Sequence, residues 1–304
     1  GYAGTGKTTI LKGLSDYLKE KQKYFQLMAP TGRAAKVLKQ KAGDGSTIHR
    51  AIYNFDRLEV MQVKSDDVAE RSFHYYFPVS EPGVPNLIAV IDESSMISDF
   101  ENNHELFTFG TGKLLTDILT YLKLKELNTK LILAGDPAQL PPVTDPESRA
   151  LSPDYFNKSG LPFKETEMTE IIRQDEKSEI LSKADRLRKT LNISRKQRNT
   201  LRLSAEGKEV FEIPAGDAVE TYLRYFPYPE IGNGVIISFS NASALNYNLG
   251  IREQIFPENQ GITEGDIVVI NNNNYHTYGV EIYNGDMAKV VEVSNDVTSQ
   301  TAPV

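Results

Sequence analysis

Eight residues at the start of the chain, Gly1-Tyr2-Ala3-Gly4-Thr5-Gly6-Lys7-Thr8, satisfy every fixed position of G-x-x-x-x-G-K-[ST]. Gly4 and Gly6 let the backbone curl until successive N–H groups point at one spot, which suits the oxygens of a phosphate chain. Lys7 reaches the outer phosphates, and the Thr8 hydroxyl can ligate Mg²⁺. Directly afterwards Ile10, Leu11, Leu14, Tyr17 and Leu18 recur at helical spacing. A helix N-terminus therefore faces the same spot, and its dipole favours an anion. Thr5 and Thr9 complete the set expected around a bound nucleotide.

Such a loop signals a nucleotide; hydrolysis needs more. Leu87-Ile88-Ala89-Val90-Ile91-Asp92-Glu93 is an apolar run ending in two acids. A run of this length reads as a buried parallel strand, and acids at its carboxyl end sit where ligands bind in open α/β sheets. Asp92 suits a magnesium ligand, and Glu93 a base that polarises an attacking water. A second apolar run, Leu131 to Ala134, ends in Gly135-Asp136 and continues as Pro137-Ala138-Gln139-Leu140-Pro141-Pro142. The prolines stiffen this loop, and the Gln139 amide can bond a terminal phosphate or the attacking water. A plain proline-rich turn is equally compatible with that stretch.

Charge is polarised along the chain. The net value is -7, yet the first fifty residues hold ten Lys/Arg against three acids. A uniformly basic nucleic-acid coat is excluded, whereas a local basic groove is not. The absence of cysteine excludes disulfides, thiol catalysis and Cys-ligated zinc, and fits a cytoplasmic location. Four scattered histidines make no metal-ligand pattern. No apolar run approaches the roughly 18 residues of a membrane span.

Five further segments occur in a fixed order: Ala29-Pro30-Thr31-Gly32-Arg33-Ala34-Ala35, Ser46-Thr47-Ile48-His49, Asp92-Glu93-Ser94-Ser95-Met96, Gly135 to Pro142, and Glu170-Ile171-Ile172-Arg173-Gln174. With the opening loop, this set resembles the RecD/Dda type of superfamily 1 DNA helicase. Ser240-Asn241 and Asn248-Leu249-Gly250-Ile251-Arg252 extend the likeness into the second motor domain. The resemblance implies ATP-driven 5′ to 3′ translocation on single-stranded DNA and unwinding at duplex junctions. It implies that Gly4, Gly6, Lys7 and Thr8 hold ATP and Mg²⁺, with Asp92 as magnesium ligand and Glu93 as catalytic base. Gln139 becomes the γ-phosphate sensor and Arg173 an arginine finger from the second domain. Pro30, Thr31, Gly32, Arg33, Thr47, His49 and Asn241 become DNA-facing. Backbone N–H groups, hydroxyls and a guanidinium at a strand-to-helix turn independently suit phosphate contacts. Arg33 equally fits a solvated helix face with Lys36, Lys39 and Lys41, and His49 a half-buried structural role.

The expected fold is α/β, with tandem RecA-like domains built on parallel sheets. Residues 1–154 form the first, interrupted at 56–85 by a hairpin of Leu58–Val63 and Phe73–Val79 around Ser65-Asp66-Asp67, a strand-separating pin in the family. Residues 155–164 read as a linker and 165–260 as a partial second domain, with Gly234–Phe239 as a buried strand. Within that stretch, Ile180, Leu181, Ala184, Leu187 and Leu191 make a helical stripe. Lys183, Arg186, Arg188 and Lys189 then belong to a basic cluster on its solvated face. Residues 261–304 read as the start of a small Src-homology-3-like barrel, with Asp266–Ile270 and Met287–Val293 flanking Tyr283-Asn284-Gly285-Asp286, and Asn271–Asn274 as a loop. No strand precedes Gly1 here, and the family's later motifs do not follow, so the chain reads as an internal fragment with an unpaired sheet edge and a displaced phosphate loop. As such it is expected to hydrolyse ATP weakly and not to unwind DNA. Alternatives are the helicase portion of a relaxase or exonuclease complex, an RNA-directed motor, or a module binding ATP as a structural ligand. Protein partners are not legible.

Overall fold

A computed structural model describes the chain apart from residues 3, 58, 64–71, 82–83, 103–106, 143–144, 146, 171–177, 191–206, 208, 260, 271–281 and 295–304. The chain forms two units, Gly1–Arg202 and Leu203–Val304.

Strand-to-helix alternation builds the first unit. The phosphate loop leads into α1 (Lys7–Glu20), followed by β1 (Phe25–Ala29), α2 (Gly32–Ala42), the short β2 (Ser46–Thr47) and α3 (Ile48–Ile52). Next come β5 (Ile88–Ile91), α4 (Leu114–Leu122) and β7 (Lys130–Leu133). The four strands make a parallel sheet in the order β2-β1-β5-β7. Its centre is the sequence's apolar runs: Leu27, Met28, Ala29, Val90 and Ile91 are buried. Leu11, Leu38 and Ala42 cover one face, and Ile48, Ile52, Leu115, Ile118 and Leu122 belong to the larger core. This is the α/β class expected. Within α1, Leu11 and Leu18 are buried but Ile10 and Tyr17 are each 55% exposed, so the apolar stripe is only half used. Likewise β7 lies at an edge of the described sheet, and its Ile132 is exposed.

Between the second and third sheet strands sits an antiparallel hairpin, β3 (Glu59–Val63) with β4 (Ser72–Phe77), registered from Glu59↔Tyr76 to Val63↔Ser72. Its turn lies outside the described residues. The strand β6 (Phe107–Phe109), which has no counterpart in the sequence reading, adds to β4 in parallel. Phe77 stacks on Phe109 at 4.9 Å between centroids, and Phe55, Tyr53 and His49 join them at 5.1–6.0 Å. The hairpin is thus fastened to α3 by rings, each such pair adding roughly 0.5–1.5 kcal/mol beyond area burial.

The stretch 155–164 is not simply a linker. Ser152-Pro153 starts α5 (Pro153–Lys158), because proline's fixed φ suits a first helical turn. Tyr155 packs on the core and donates to Asp99 Oδ2 at 3.0 Å. The helix α6 (Glu179–Lys189) also falls in the first unit, so the grouping changes after residue 202, not near 160. The stripe of α6 is not a buried one, since Ile180 and Leu187 are 53% and 43% exposed; Leu191 lies outside the described residues.

The second unit holds α7 (Ala218–Tyr225), α8 (Asn241–Ile255) and the antiparallel pair β8 (Ile267–Val269) and β9 (Met287–Lys289). A turn at Asn284-Gly285 precedes β9, with Gly285 N–H donating to Ile270 O at 2.8 Å. The expected loop at Asn271–Asn274 lies outside the described residues. The buried strand expected at Gly234–Phe239 is absent: Val235, Ile237 and Phe239 are exposed, and the segment pairs with no described strand. Apolarity alone makes no strand without neighbours to complete its hydrogen bonds. Arg252 on α8 donates from Nε and Nη2 to the two carboxylate oxygens of Asp266 at 2.9 and 3.0 Å, tying the helix to the pair. That bond holds the Asp266 carboxyl below the usual range. In this structure Arg252, part of the Asn248–Arg252 segment, is a cross-link between elements.

Candidate nucleotide and nucleic-acid site

The phosphate loop adopts the backbone its glycines permit: Gly4 and Gly6 have φ of 79° and 81°, the left-handed region closed to most side chains. Gly6 caps α1 without a side-chain bond, leaving the first N–H groups of that helix directed outward. Thr5 is buried, its hydroxyl donating to Tyr2 O at 2.7 Å. The Lys7 ammonium donates to Gly1 O and Tyr2 O at 3.0 and 2.9 Å, which holds its charge across the mouth of the loop. Tyr2 N–H donates to Met168 O at 2.9 Å. The loop is formed and anchored on two sides, contrary to the displacement expected.

At the carboxyl end of β5 the Thr8 hydroxyl lies 3.4 Å from Asp92 Oδ2. Burial pushes the Asp92 carboxyl above its usual range, against the Glu93 N–H, Lys7 and Thr8, which favour its ionised form. A hydroxyl beside a carboxylate, with a lysine and free helix N–H groups nearby, fits a magnesium–triphosphate pair. Glu93 sits at φ 53°, a left-handed conformation for a residue with a side chain. Such strain costs of order 1–3 kcal/mol and concentrates at functional sites. Ser94 anchors the turn, its N–H donating to Ala134 O and its hydroxyl to Ile91 O, both at 2.9 Å.

Gly135 lets the next loop lie against this turn, since a Cβ there would stand 2.8 Å from Leu151 and 3.0 Å from Ser95 N. Asp136 then organises the loop: its carboxylate accepts from Ala138 N–H and its carbonyl from Gln139 N–H, both at 3.0 Å. The outcome is one cleft of about 610 Å³ lined by Thr8, Asp92, Glu93 and Gln139, together with Thr31 and Arg33. The sequence suggests a DNA face for the last two; the fold sets them in the same cleft as the residues expected at the nucleotide.

Thr31 and Thr47 cap α2 and α3, their hydroxyl oxygens accepting from Ala34 and Arg50 N–H at 3.2 and 3.3 Å, so each can still donate outward. His49 is half-buried between Tyr53 and Phe109 and does not line the cleft. Burial pushes its pKa down against the opposing pull of Asp117. The neutral ring is therefore favoured on folding, and this contribution is present above the unfolded pKa and lost as pH falls through the depressed one. His49→Gln is expected to flatten the loss of thermal stability below about pH 6.5, the ordinary histidine value, as read by melting curves across pH 4.5–8. Pro30 and Gly32 are half-buried at the start of α2 and Thr9 is exposed on α1. Asn241 opens α8 in the other unit, and Arg173 lies outside the described residues.

Two important residues were given no site role by the sequence. Asp117 is fully buried and accepts from Tyr53 OH at 2.7 Å and from Thr111 N–H and Oγ1 at 3.1 and 2.8 Å. It fixes α4, α3 and the end of β6 together. Asp117→Ala strands the buried Tyr53 hydroxyl and frees the Thr111 donors to water, and is expected to destabilise by about 1–3 kcal/mol, measured by urea unfolding. The other is Arg188, whose Nη1 donates to Asp136 Oδ1 at 2.9 Å.

The family described as "AAA domain" matches residues 1–200, and the chain belongs to that family. An uncharacterized protein of Methanocaldococcus jannaschii is 32% identical over 158 residues, covering 47% of this chain and 11% of the relative. Among solved structures, one of two coordinating Pif1 helicases at forked double-stranded DNA aligns at TM-score 0.46 and 20% identity, covering 97% of this chain and 67% of that one. Bacteroides sp Pif1 in complex with ADP-AlF4 aligns at TM-score 0.42 and 23% identity, covering 97% and 65%. The chain thus spans about a tenth of the curated relative and about two thirds of each Pif1 chain.

Proposed function

We propose that this chain is the ATP-hydrolysing part of a DNA helicase that moves 5′ to 3′ on single-stranded DNA and opens duplex junctions, in the cytoplasm. The observation that carries this is the single cleft uniting Thr8, Asp92, Glu93 and Gln139 with the strand-to-helix turn of Thr31 and Arg33. A phosphate-hydrolysing site and a turn suited to a nucleic-acid backbone share walls there, so closure of one is felt by the other.

In this reading Lys7 and the first N–H groups of α1 hold the β- and γ-phosphates. Thr8 and Asp92 hold Mg²⁺, which neutralises charge building on the phosphate oxygens. Glu93 takes the proton of the attacking water as its oxygen bonds to the γ-phosphorus and the bond to ADP breaks. The Gln139 amide bonds the γ-phosphate side and senses its departure. Arg33 and the threonine hydroxyls of Thr31 and Thr47 grip the DNA backbone, with His49 beside them; Asn241 makes a DNA contact of its own in the second unit. Arg173 supplies a second cation to the γ-phosphate. The hairpin β3–β4 is the element that parts the strands.

The test is phosphate release by the whole polypeptide with and without single-stranded DNA or RNA. Magnesium-dependent release that rises with single-stranded DNA is expected. Release indifferent to DNA would overturn the motor reading, and stronger stimulation by RNA would reassign the track.

A further inference from the structure

The sequence places Arg188 in a basic cluster on a solvated face of α6. Its guanidinium is instead turned inward, with a side chain 21% exposed against an Asp136 carboxylate that is fully buried. Nη1 donates to Oδ1 at 2.9 Å and Nη2 to Oδ2 at 2.5 Å, a two-pronged contact that fixes orientation as well as distance. The other face of the same group covers the Tyr2 ring, with the guanidinium carbon 4.0 Å from the centroid. Tyr2 is the second residue of the phosphate loop, and its carbonyl accepts from both Lys7 and Thr5. Asp136 opens the loop that presents Gln139.

We propose that Arg188 is a positioning residue of the nucleotide site: reaching from α6, it clamps the phosphate loop through Tyr2 and the Gly135–Pro142 loop through Asp136. This rests on the nucleotide-binding reading above and adds to it a part that lies in neither motif. The physical reason is economy of freedom. Each loop has its own backbone bonds, and the Gly1 nitrogen donates to Gly135 O at 2.9 Å; the planar Arg188 group adds a second bridge from outside both motifs, which fixes Tyr2 relative to Asp136. Moving Tyr2 displaces the carbonyl on which Lys7 rests. Tilting Asp136 displaces the N–H groups of Ala138 and Gln139. Losing the guanidinium also leaves a buried carboxylate without its cation, although Ala138 N–H still serves it. Burial pushes the Asp136 carboxyl up, and the Arg188 bonds outweigh it, holding the group below the usual range.

The test uses the full chain, which contains no tryptophan, so that Tyr2→Trp introduces a single reporter. In the absence of nucleotide, Arg188→Ala in this background is expected to change the Trp emission and raise its acrylamide quenching at least twofold. Arg186→Ala, on the exposed face of the same helix, leaves both unchanged. Binding of a fluorescent ATP analogue to the chain with Tyr2 is expected to weaken about tenfold in Arg188→Ala and in Asp136→Asn. The double variant is no weaker than either, and Arg188→Lys falls between, since an ammonium keeps the charge but not the fork. Unchanged Trp quenching in a folded Arg188→Ala chain overturns the proposal, as does full additivity of the two single losses. Should Arg188→Ala fail to fold, Arg188→Lys decides on the same readout: intermediate quenching supports the clamp and wild-type quenching overturns it. An unmutated chain that binds no nucleotide would defeat the functional reading instead, leaving the Trp readout to judge the clamp.

Discussion

Replacing Glu93 by Gln is expected to lower turnover of the whole polypeptide by about 10²- to 10⁴-fold, the usual span for a general base, while ATP still binds. The amide keeps the shape of the side chain and loses only the ability to take a proton. Because φ at position 93 is 53° for any residue placed there, the strain of the turn is the same in both proteins. A difference in rate therefore reports the carboxylate and not the backbone. Single-turnover phosphate release measures the chemical step, and equilibrium binding of a fluorescent ATP analogue measures the ground state. Equal losses in both would remove Glu93 from the chemistry and make it a residue of the binding wall.

Asp92→Asn is expected to divide stability from function. Burial raises the Asp92 carboxyl, so the folded protein holds this proton more tightly than the unfolded chain does. The sign follows directly. The charged form works against folding above the raised pKa, and that penalty fades as pH falls from the raised pKa towards the unfolded value, below which it is gone. The asparagine variant should melt higher than the parent near neutral pH, with the gap closing as the medium is acidified. Each kcal/mol corresponds to about 2–4 °C for a unit of this size. Magnesium nucleotide reverses the ranking. At about a hundred times its dissociation constant a ligand adds about 2.7 kcal/mol, and the parent should gain it while the variant, lacking its anionic ligand beside Thr8, gains little. Thermal melts at several pH values, with and without Mg²⁺–ADP, give both halves. A variant melting lower at neutral pH would contradict the buried-charge argument.

The phosphate loop was legible because its chemistry is local. Gly4 and Gly6 must take left-handed φ, Lys7 and Thr8 must follow at once, and a helix must begin there; no distant contact is needed to specify this. The strands ending at Asp92 and Asp136 were legible for a related reason, since apolar runs that stop at acids define both burial and the sheet end where ligands gather. The hairpin followed from two apolar and aromatic stretches joined by a polar turn. Apolarity misled where it lacked partners: Gly234–Phe239 has a strand's composition, but no described neighbour completes its hydrogen bonds. Half of the α1 stripe is exposed for the same reason, because a stripe states what can be buried and not what covers it. The stretch near Tyr155 looked like a linker until Pro153 and the Asp99 contact turned it into a helix against the core.

Sequence by itself determined the α/β class, the nucleotide-binding loop, the acids that face it and their order along the chain, all of them properties of neighbouring residues. Only the tertiary structure decided which charges are spent on the fold and which remain for chemistry. Asp117 and Arg252 proved to be cross-links, His49 a ring half-buried under the hairpin, Arg33 a wall of the phosphate cleft, and Arg188 a bridge between its two loops. Those outcomes depend on which side chains meet across tens of residues. A carboxylate or guanidinium carries the same charge whether it faces water or a buried partner, and burial alone sets which role it plays.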